Sequence, residues 1–164
     1  MNPSPRILAL DLATTTGWAR HANGITDGGH VAFTRKHGRK TIADDHEGIV
    51  FLRFLRWVNE RIRDDKPDVI VYERPGHFAS AAAAFLACGL RGVLYTNAAH
   101  HNVPIVAYSP SELKKWATGS GKAEKPDMIA AARKLPGGED LTDDNAADAL
   151  LLLHLHLART KPTP

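Results

Sequence analysis

Three carboxylates of this chain sit where burial should exclude them. Asp11 closes the apolar run "RILALDL" (6–12), and Glu73 ends "VIVYE" within "PDVIVYERP" (67–75). Asp148 stands one turn inside "DDNAADALLLL" (143–153), just ahead of Leu150, Leu151, Leu152 and Leu153. A lone carboxylate in apolar surroundings is costly unless something pairs with it. Asp144, at i−4, shares the helical face of Asp148, and Asn145, at i−3, lies close to that face. Acids gathered this way repel one another, which raises pKa values, and hard divalent cations relieve the repulsion. Mg²⁺ takes oxygen ligands in near-octahedral geometry, commonly a few carboxylates plus water and substrate phosphates. Two such ions about 4 Å apart can activate a water and stabilise the leaving oxygen of a phosphodiester.

Each acid also has an ordinary explanation. An Asp at a strand end can satisfy a loop, and Glu73 could pair with Arg74. Asp143 and Asp144 are first-turn helix acids, favoured by capping and by the helix dipole. Only their conjunction is unusual, and it depends on the elements that carry them.

Those elements read as follows. "RILALDL" has the signature of a buried strand; "GWARHA" and "GHVAFT" follow it, separated by Asn23-Gly24 and Gly28-Gly29, as in a three-strand antiparallel meander. From about Ala43 to Asp65, Ile49, Leu52, Leu55, Val58 and Ile62 recur at helical spacing. A buried strand over 67–75 stops at Pro75. A helix fits 79–101, its Ala and Gly permitting close packing on a sheet. "NVPIVAYSP" (102–110) is another strand, and "SPSELKKWATG" a short helix capped by Ser109 or Ser111. Pro126 sits in the tolerated first turn of a helix over about 126–135. The last helix takes 144–158, and 159–164 reads as a frayed tail. The order β-β-β-α-β-α-β-α-α describes an α/β fold: a mixed five-stranded sheet, three strands in a meander and two parallel, flanked by helices. The chain of 164 residues is read as a single domain, 1–164, with no internal repeat.

Composition is that of an ordinary globular protein, 43% hydrophobic and 24% charged, with a net charge of +3. No run of about 18 apolar residues is available to span a membrane. The N-terminus lacks a signal-peptide layout, and the single cysteine, Cys88, fits a reducing cytoplasm and excludes an internal disulfide framework. Within "AFLACGL", Cys88 reads as a buried structural residue. None of the histidines pairs with it at zinc-site spacing.

With these residues assembled, the pattern is that of the ribonuclease-H-like nucleases, and the chain resembles the RuvC-type Holliday junction resolvases over nearly its full length. Four blocks carry the resemblance: "ALDLATTTGWA" with Asp11, "PDVIVYERP" with Glu73, "AYSPSELKKWATGSGKAEKPDM", and "AADAL" with Asp148. The third is the most specific, because a generic fold of this type has no need of it. Two departures stand out. Family members often carry two helix acids three residues apart, but here that position is Asn145, so that either Asp144 or Asn145 shares the metal of Asp148; Asp144 is favoured. The glycine usual soon after the first Asp is replaced by Ala13 and Thr14.

The resemblance implies Mg²⁺-dependent phosphodiester hydrolysis, two ions per site, with Mn²⁺ able to substitute. Asp11 would bridge the ions, Glu73, Asp148 and Asp144 would complete the ligands, and Lys125 would stabilise charge on the phosphate. It further implies a homodimer making paired nicks in four-way DNA junctions, in the cytoplasm, with no nucleotide cofactor. Lys114, Lys115, Lys122 and Lys125 form one basic cluster for DNA, where a solvated lysine face is the plain alternative. "RKHGRK" (35–40) is a second cluster, either a DNA contact or merely soluble. Arg74 could contact the scissile region, and Phe78 could insert between bases or cap the core. The small-residue helix 79–101 is a candidate dimer surface. Alternatives are a broader flap or branched-DNA nuclease and a non-catalytic junction-binding module. A sugar-kinase-like ATPase shares "D-x-x-T-T-x-G" but needs a second lobe.

Overall fold

The computed structural model describes residues 4–34, 36–37, 40–41, 47–74 and 76–160. Strand β1 (Ile7–Asp11) pairs antiparallel with β2 (Thr15–Ala22), and β2 with β3 (Ile25–Ala32). Asn23 and Gly24 turn the second hairpin with φ of 53° and 79°, left-handed values that suit these two residue types. Two-residue strands β4 (Lys36–His37) and β5 (Lys40–Thr41) form a small separate hairpin within the second basic cluster. Of that cluster, Arg35, Gly38 and Arg39 lie outside the described residues.

Helix α1 (Glu47–Asp65) leads to β6 (Val69–Glu73), which pairs parallel with β1. Helix α2 (Ala81–His100) returns the chain to β7 (Ile105–Tyr108), parallel to β6. Three helices follow: α3 (Pro110–Thr118), α4 (Lys125–Ala132) and α5 (Asp144–Thr160). The sheet order is β3-β2-β1-β6-β7, the mixed arrangement expected. Ser109 caps α3 in a full capping box with Glu112, and Pro126 occupies the first turn of α4.

Two cores flank the sheet. On one face α5 packs on Ile7, Ala9, Ala19 and Val71, and α3 and α4 close over it through Leu113, Met128 and Ala132. Enclosed on both sides, Leu150, Leu151, Leu152, Leu153 and Leu155 are all buried, so the leucine run needs no single apolar stripe. On the other face α1 and α2 cover Leu8, Leu10, Ile70 and Tyr72 with Phe54, Val58, Leu90 and Leu94, and Phe33 packs edge-on against Phe54.

Several expectations change. Gly28-Gly29 is no turn; it lies inside β3 opposite Ala19 and Trp18, and a Cβ on Gly28 would stand 2.6 Å from the Trp18 carbonyl oxygen. Cys88 is exposed. The apolar run around it spans more than a helical turn, so it includes the outward face of α2 (Phe85, Cys88, Gly92, Tyr95) as well as the inward one. For the same reason most small residues of α2 point away from the sheet, which meets Leu90, Leu94 and Ala98 instead. Arg159 and Thr160, assigned to a frayed tail, are the last residues of α5; Arg159 pairs with Glu112 and lies over the Tyr108 ring.

Candidate active site

Strand pairing gathers the acids. Because β1 and β6 are parallel neighbours, Asp11 and Glu73 end at the same sheet edge, and alternation turns both toward α5. Asp11 pairs with Gly17, and Gly17 with His30, so these three form a row across β1, β2 and β3. Gly17 is what admits the helix: a Cβ there would lie 1.8 Å from the carbonyl oxygen of Asn145. The first turn of α5 therefore rests directly on β2. Asp143 caps that turn, its Oδ1 accepting from the Ala146 N–H at 2.9 Å.

Burial and mutual repulsion act on the buried acids in the same direction. Removal from water, then the charges of Asp148 and Asp144, raise the Asp11 carboxyl to about 7. Burial, then Asp11 and Asp148, raise Glu73 to about 8. Burial and Asp144 lift Asp148 to about 6, with Lys114 and Lys125 opposing. Asp144 differs: its ion pair with Lys125 holds its carboxyl below the usual range. Asp148 Oδ1 is buried without a hydrogen-bond partner.

A divalent cation fits this donor set, since hard oxygens with raised proton affinity and one orphaned lone pair are what such an ion would satisfy. Among the described residues no three His, Cys, Asp or Glu side chains form a ready-made ion cage. Water and phosphate oxygens would have to complete the coordination.

Of the residues singled out by sequence, Asp11, Glu73, Asp144, Asp148, Lys125 and Lys114 act on one another electrostatically at this edge. Asn145 joins through its main chain against Gly17. Lys122 lies apart, in a cavity between α3 and α4 with Asp127 and Lys134. Lys115 and Phe78 are exposed. Glu73 forms no ion pair with Arg74 among the described residues; Arg74 lines a cavity on the other face of the sheet. His30 was not anticipated. Its Nδ1 stands 3.4 Å from Asp143 Oδ1, beside the site. The Asn-Gly hairpin contains the signal: a two-residue turn at Asn23-Gly24 sets His30 opposite Gly17 by counting alone.

A mixed sheet of this order, with one helix laid across it and carboxylates at the ends of β1 and β6, defines a ribonuclease-H-like α/β domain. The family model described as "Crossover junction endodeoxyribonuclease RuvC" matches residues 40–156. The chain belongs to the RuvC family. Curated relatives of that name include one from Anaeromyxobacter sp. (strain K), 43% identical over 65% of this chain and 57% of its own length. Another, from Corynebacterium glutamicum, is 35% identical over 66% of this chain and 49% of its own. The chain thus spans about half the length of the curated relatives it matches first. Among solved structures, T. thermophilus RuvC in complex with a Holliday junction substrate superposes with a TM-score of 0.72 at 21% identity, over 95% of this chain and 96% of that one. The yeast mitochondrial Holliday junction resolvase Ydc2 does so with 0.63 at 18% identity, over 92% and 76%. These likenesses establish the fold. The family match contains Glu73, Asp144, Asn145 and Asp148 but not Asp11, whose place rests on strand register.

Proposed function

We propose that this chain is a structure-selective endodeoxyribonuclease that resolves four-way DNA junctions as a homodimer making paired nicks. The observation carrying this reading is the convergence of Asp11, Glu73 and Asp148, two strand ends and one helix, with raised proton affinities and an orphaned oxygen. Asp11, Glu73, Asp148 and Asp144 would hold two Mg²⁺ ions, or Mn²⁺ in their place, with Asn145 the alternative to Asp144. When bound, such ions supply activation of water and charge for the leaving oxygen of a phosphodiester.

The chain's own residues do the rest. Gly17 lets α5 settle until Asp148 faces Asp11. Lys125 holds the Asp144 carboxylate and stands at the mouth of the site, where its ammonium can meet a phosphate oxygen. Lys114 lowers the cost of charging Glu73 and Asp148. Lys115, Lys122, Arg74 and Phe78 are exposed at or near these elements and would contact the DNA. The outward face of α2, with Phe85 and Tyr95 exposed, is the surface we assign to the dimer. No described helix is long and apolar enough to cross a membrane. With DNA as its partner, the chain would work in the cytoplasm.

One assay tests this. A mobile four-way junction, a flap, a Y-fork and plain duplex are incubated with the chain and Mg²⁺ or Mn²⁺, beside Asp11→Asn. Paired nicks confined to the junction, abolished by the substitution with binding retained, are expected. Equal cutting of flaps would reassign the chain to a broader branched-DNA nuclease. Tight junction binding with no cutting in either metal would make it a binding module.

A further inference from the structure

The row Asp11–Gly17–His30 crosses three strands on the α5 face, as does the Ala19–Gly28 pair two residues along. Two strand spacings of about 4.8 Å separate the backbone of His30 from that of Asp11. Between them Gly17 offers no side chain, and the start of α5 lies over it. Strand β3 ends the five-stranded sheet, so no further strand of that sheet covers His30. The imidazole is 51% exposed, with Nδ1 3.4 Å from Asp143 Oδ1. Among the described residues Nε2 has no hydrogen-bond partner.

The pair does little for the fold. An ion pair this exposed adds little stability. Asp143 caps α5 without help, its Oδ1 already accepting from the Ala146 N–H at 2.9 Å. A carboxylate at Nδ1 does orient the ring, leaving Nε2 for another group. The Asp143 charge also reaches the acid cluster, where it helps to raise the Asp11 carboxyl. That cluster repels a phosphodiester, so attraction for the strand must come from its neighbours. Lys114 and Lys125 bring positive charge to the cluster from α3 and α4. His30 can add one from the sheet. We propose that His30 contacts the substrate, its Nε2 donating to a non-bridging oxygen of a DNA backbone phosphate next to the scissile one on the cut strand. Held between that phosphate and Asp143, the ring binds as the imidazolium, because both anions favour its charged form. The charged groups around it are Asp143 ahead of α5, Asp144 and Asp148 of α5, Lys125 paired with Asp144, and Asp11 on β1 beyond Gly17. The contact presupposes the proposed action on DNA.

Binding of a four-way junction is measured in chelator, where cutting is suppressed, for wild type, His30→Gln and His30→Lys. At pH 6.5, His30→Gln should weaken binding about tenfold and reduce the slope of log affinity against log salt by roughly 0.7–0.9. The gap should narrow at pH 8.5, where the imidazolium is harder to keep. His30→Lys remains a cation at both pH values, so it should match wild type at pH 6.5 and bind more tightly than wild type at pH 8.5. A neutral methylphosphonate is then placed singly at each phosphate flanking the scissile one. At one position it should cost wild type about tenfold and His30→Gln nothing further. Wild-type affinity and slope in His30→Gln, or an undiminished methylphosphonate penalty in that variant, would overturn the contact. So would a loss that is equal at both pH values and not restored by lysine, since the ring would then only support the start of α5. Thermal melting checks folding. If His30→Gln is unstable, His30→Lys decides: binding no tighter than wild type at pH 8.5 overturns the contact. Cutting by wild type in Mg²⁺ is scored separately. Its absence on every branched substrate overturns the nuclease reading while the chelator measurements judge His30, and a wild type that binds no junction overturns both.

Discussion

On the α1/α2 face of the sheet, Asn97 donates to the Leu55 carbonyl, His101 meets Asn59 at 2.7 Å, and Tyr72 meets Tyr95. At the outer end of α1, Asp65 Oδ2 and Arg61 Nε lack hydrogen bonds, yet Asp65 accepts from Arg20 at 2.7 Å and lies 3.6 Å from Arg61. On the α5 face the polar groups at the sheet edge are acids that raise one another's pKa values, and Asp148 Oδ1 has no partner. Both faces bury a full apolar core, Leu- and Ala-rich beneath α5 and more aromatic beneath α1 and α2 through Phe33, Phe54 and Tyr72, so missing apolar cover does not explain the difference. One face resolves its buried polarity internally, whereas the other leaves it unresolved at a single edge. That kind of deficit in a folded protein points to a ligand.

The comparison can be broken most sharply at Asp11. Asp11→Asn should reduce nicking on the order of 10³-fold or more if its charge organises the divalent ions. The same substitution should not destabilise the metal-free chain at pH 8. The sign follows from linkage: Asp11, Glu73 and Asp148 have folded pKa values above their unfolded ones, so the folded state binds more protons between about pH 4 and pH 8. Metal-free stability should therefore fall as pH rises through that window, with a shallower fall in Asp11→Asn. Urea melts in chelator from pH 5 to pH 8.5 check this; a steeper fall in the variant would contradict it.

Next in size is the opposite face. Phe54→Ala removes a fully buried ring from the α1/α2 core and should cost about 3–5 kcal/mol by denaturant titration. Nicking per folded molecule should survive at temperatures below its melt.

A pair of glycines then sharpens the contrast. Gly17→Ala drives a methyl into the Asn145 backbone and should cost about 1–3 kcal/mol while suppressing nicking, because α5 must lift away. In Gly89→Ala the added carbon would lie 2.1 Å from the Phe51 ring, a side chain on the rim of the other core, which can swing aside. That variant should lose less stability and keep its nicking.

The smallest effect is at His156, buried against Tyr108 with Nδ1 2.8 Å from the tyrosine oxygen. Burial lowers its pKa below the usual 6.5, so stability present above that value is lost as pH falls through it. His156→Gln should flatten this part of the stability curve slightly and leave nicking unchanged.

Much of the architecture was legible along the chain because it rests on local rules. Apolar runs marked β1 and β6, helical spacing marked α1, and a cap at Ser109 or Ser111 announced α3. What misled was direction around an element. Cys88 and the alanines of α2 are apolar and helical, and nothing in their spacing says which side meets a sheet whose residues are distant in sequence. Gly28-Gly29 looked like a turn because glycine pairs mark turns, yet the need there was for clearance from the Trp18 carbonyl. His30 was overlooked since its neighbour, Asp143, belongs to another element.

By itself the sequence determined which residues carry charge into apolar surroundings, Asp11, Glu73 and Asp148, and the strands and helix that hold them. These follow from composition and period, which act over a few residues. Only the tertiary structure decided that the three meet at one edge, that Asp144 is held by Lys125 while Asn145 presses its carbonyl on Gly17, and that Arg74 turns away into a cavity with Arg91. Those outcomes depend on strand register and on how closely α5 approaches β2, both set by contacts between residues far apart in the chain.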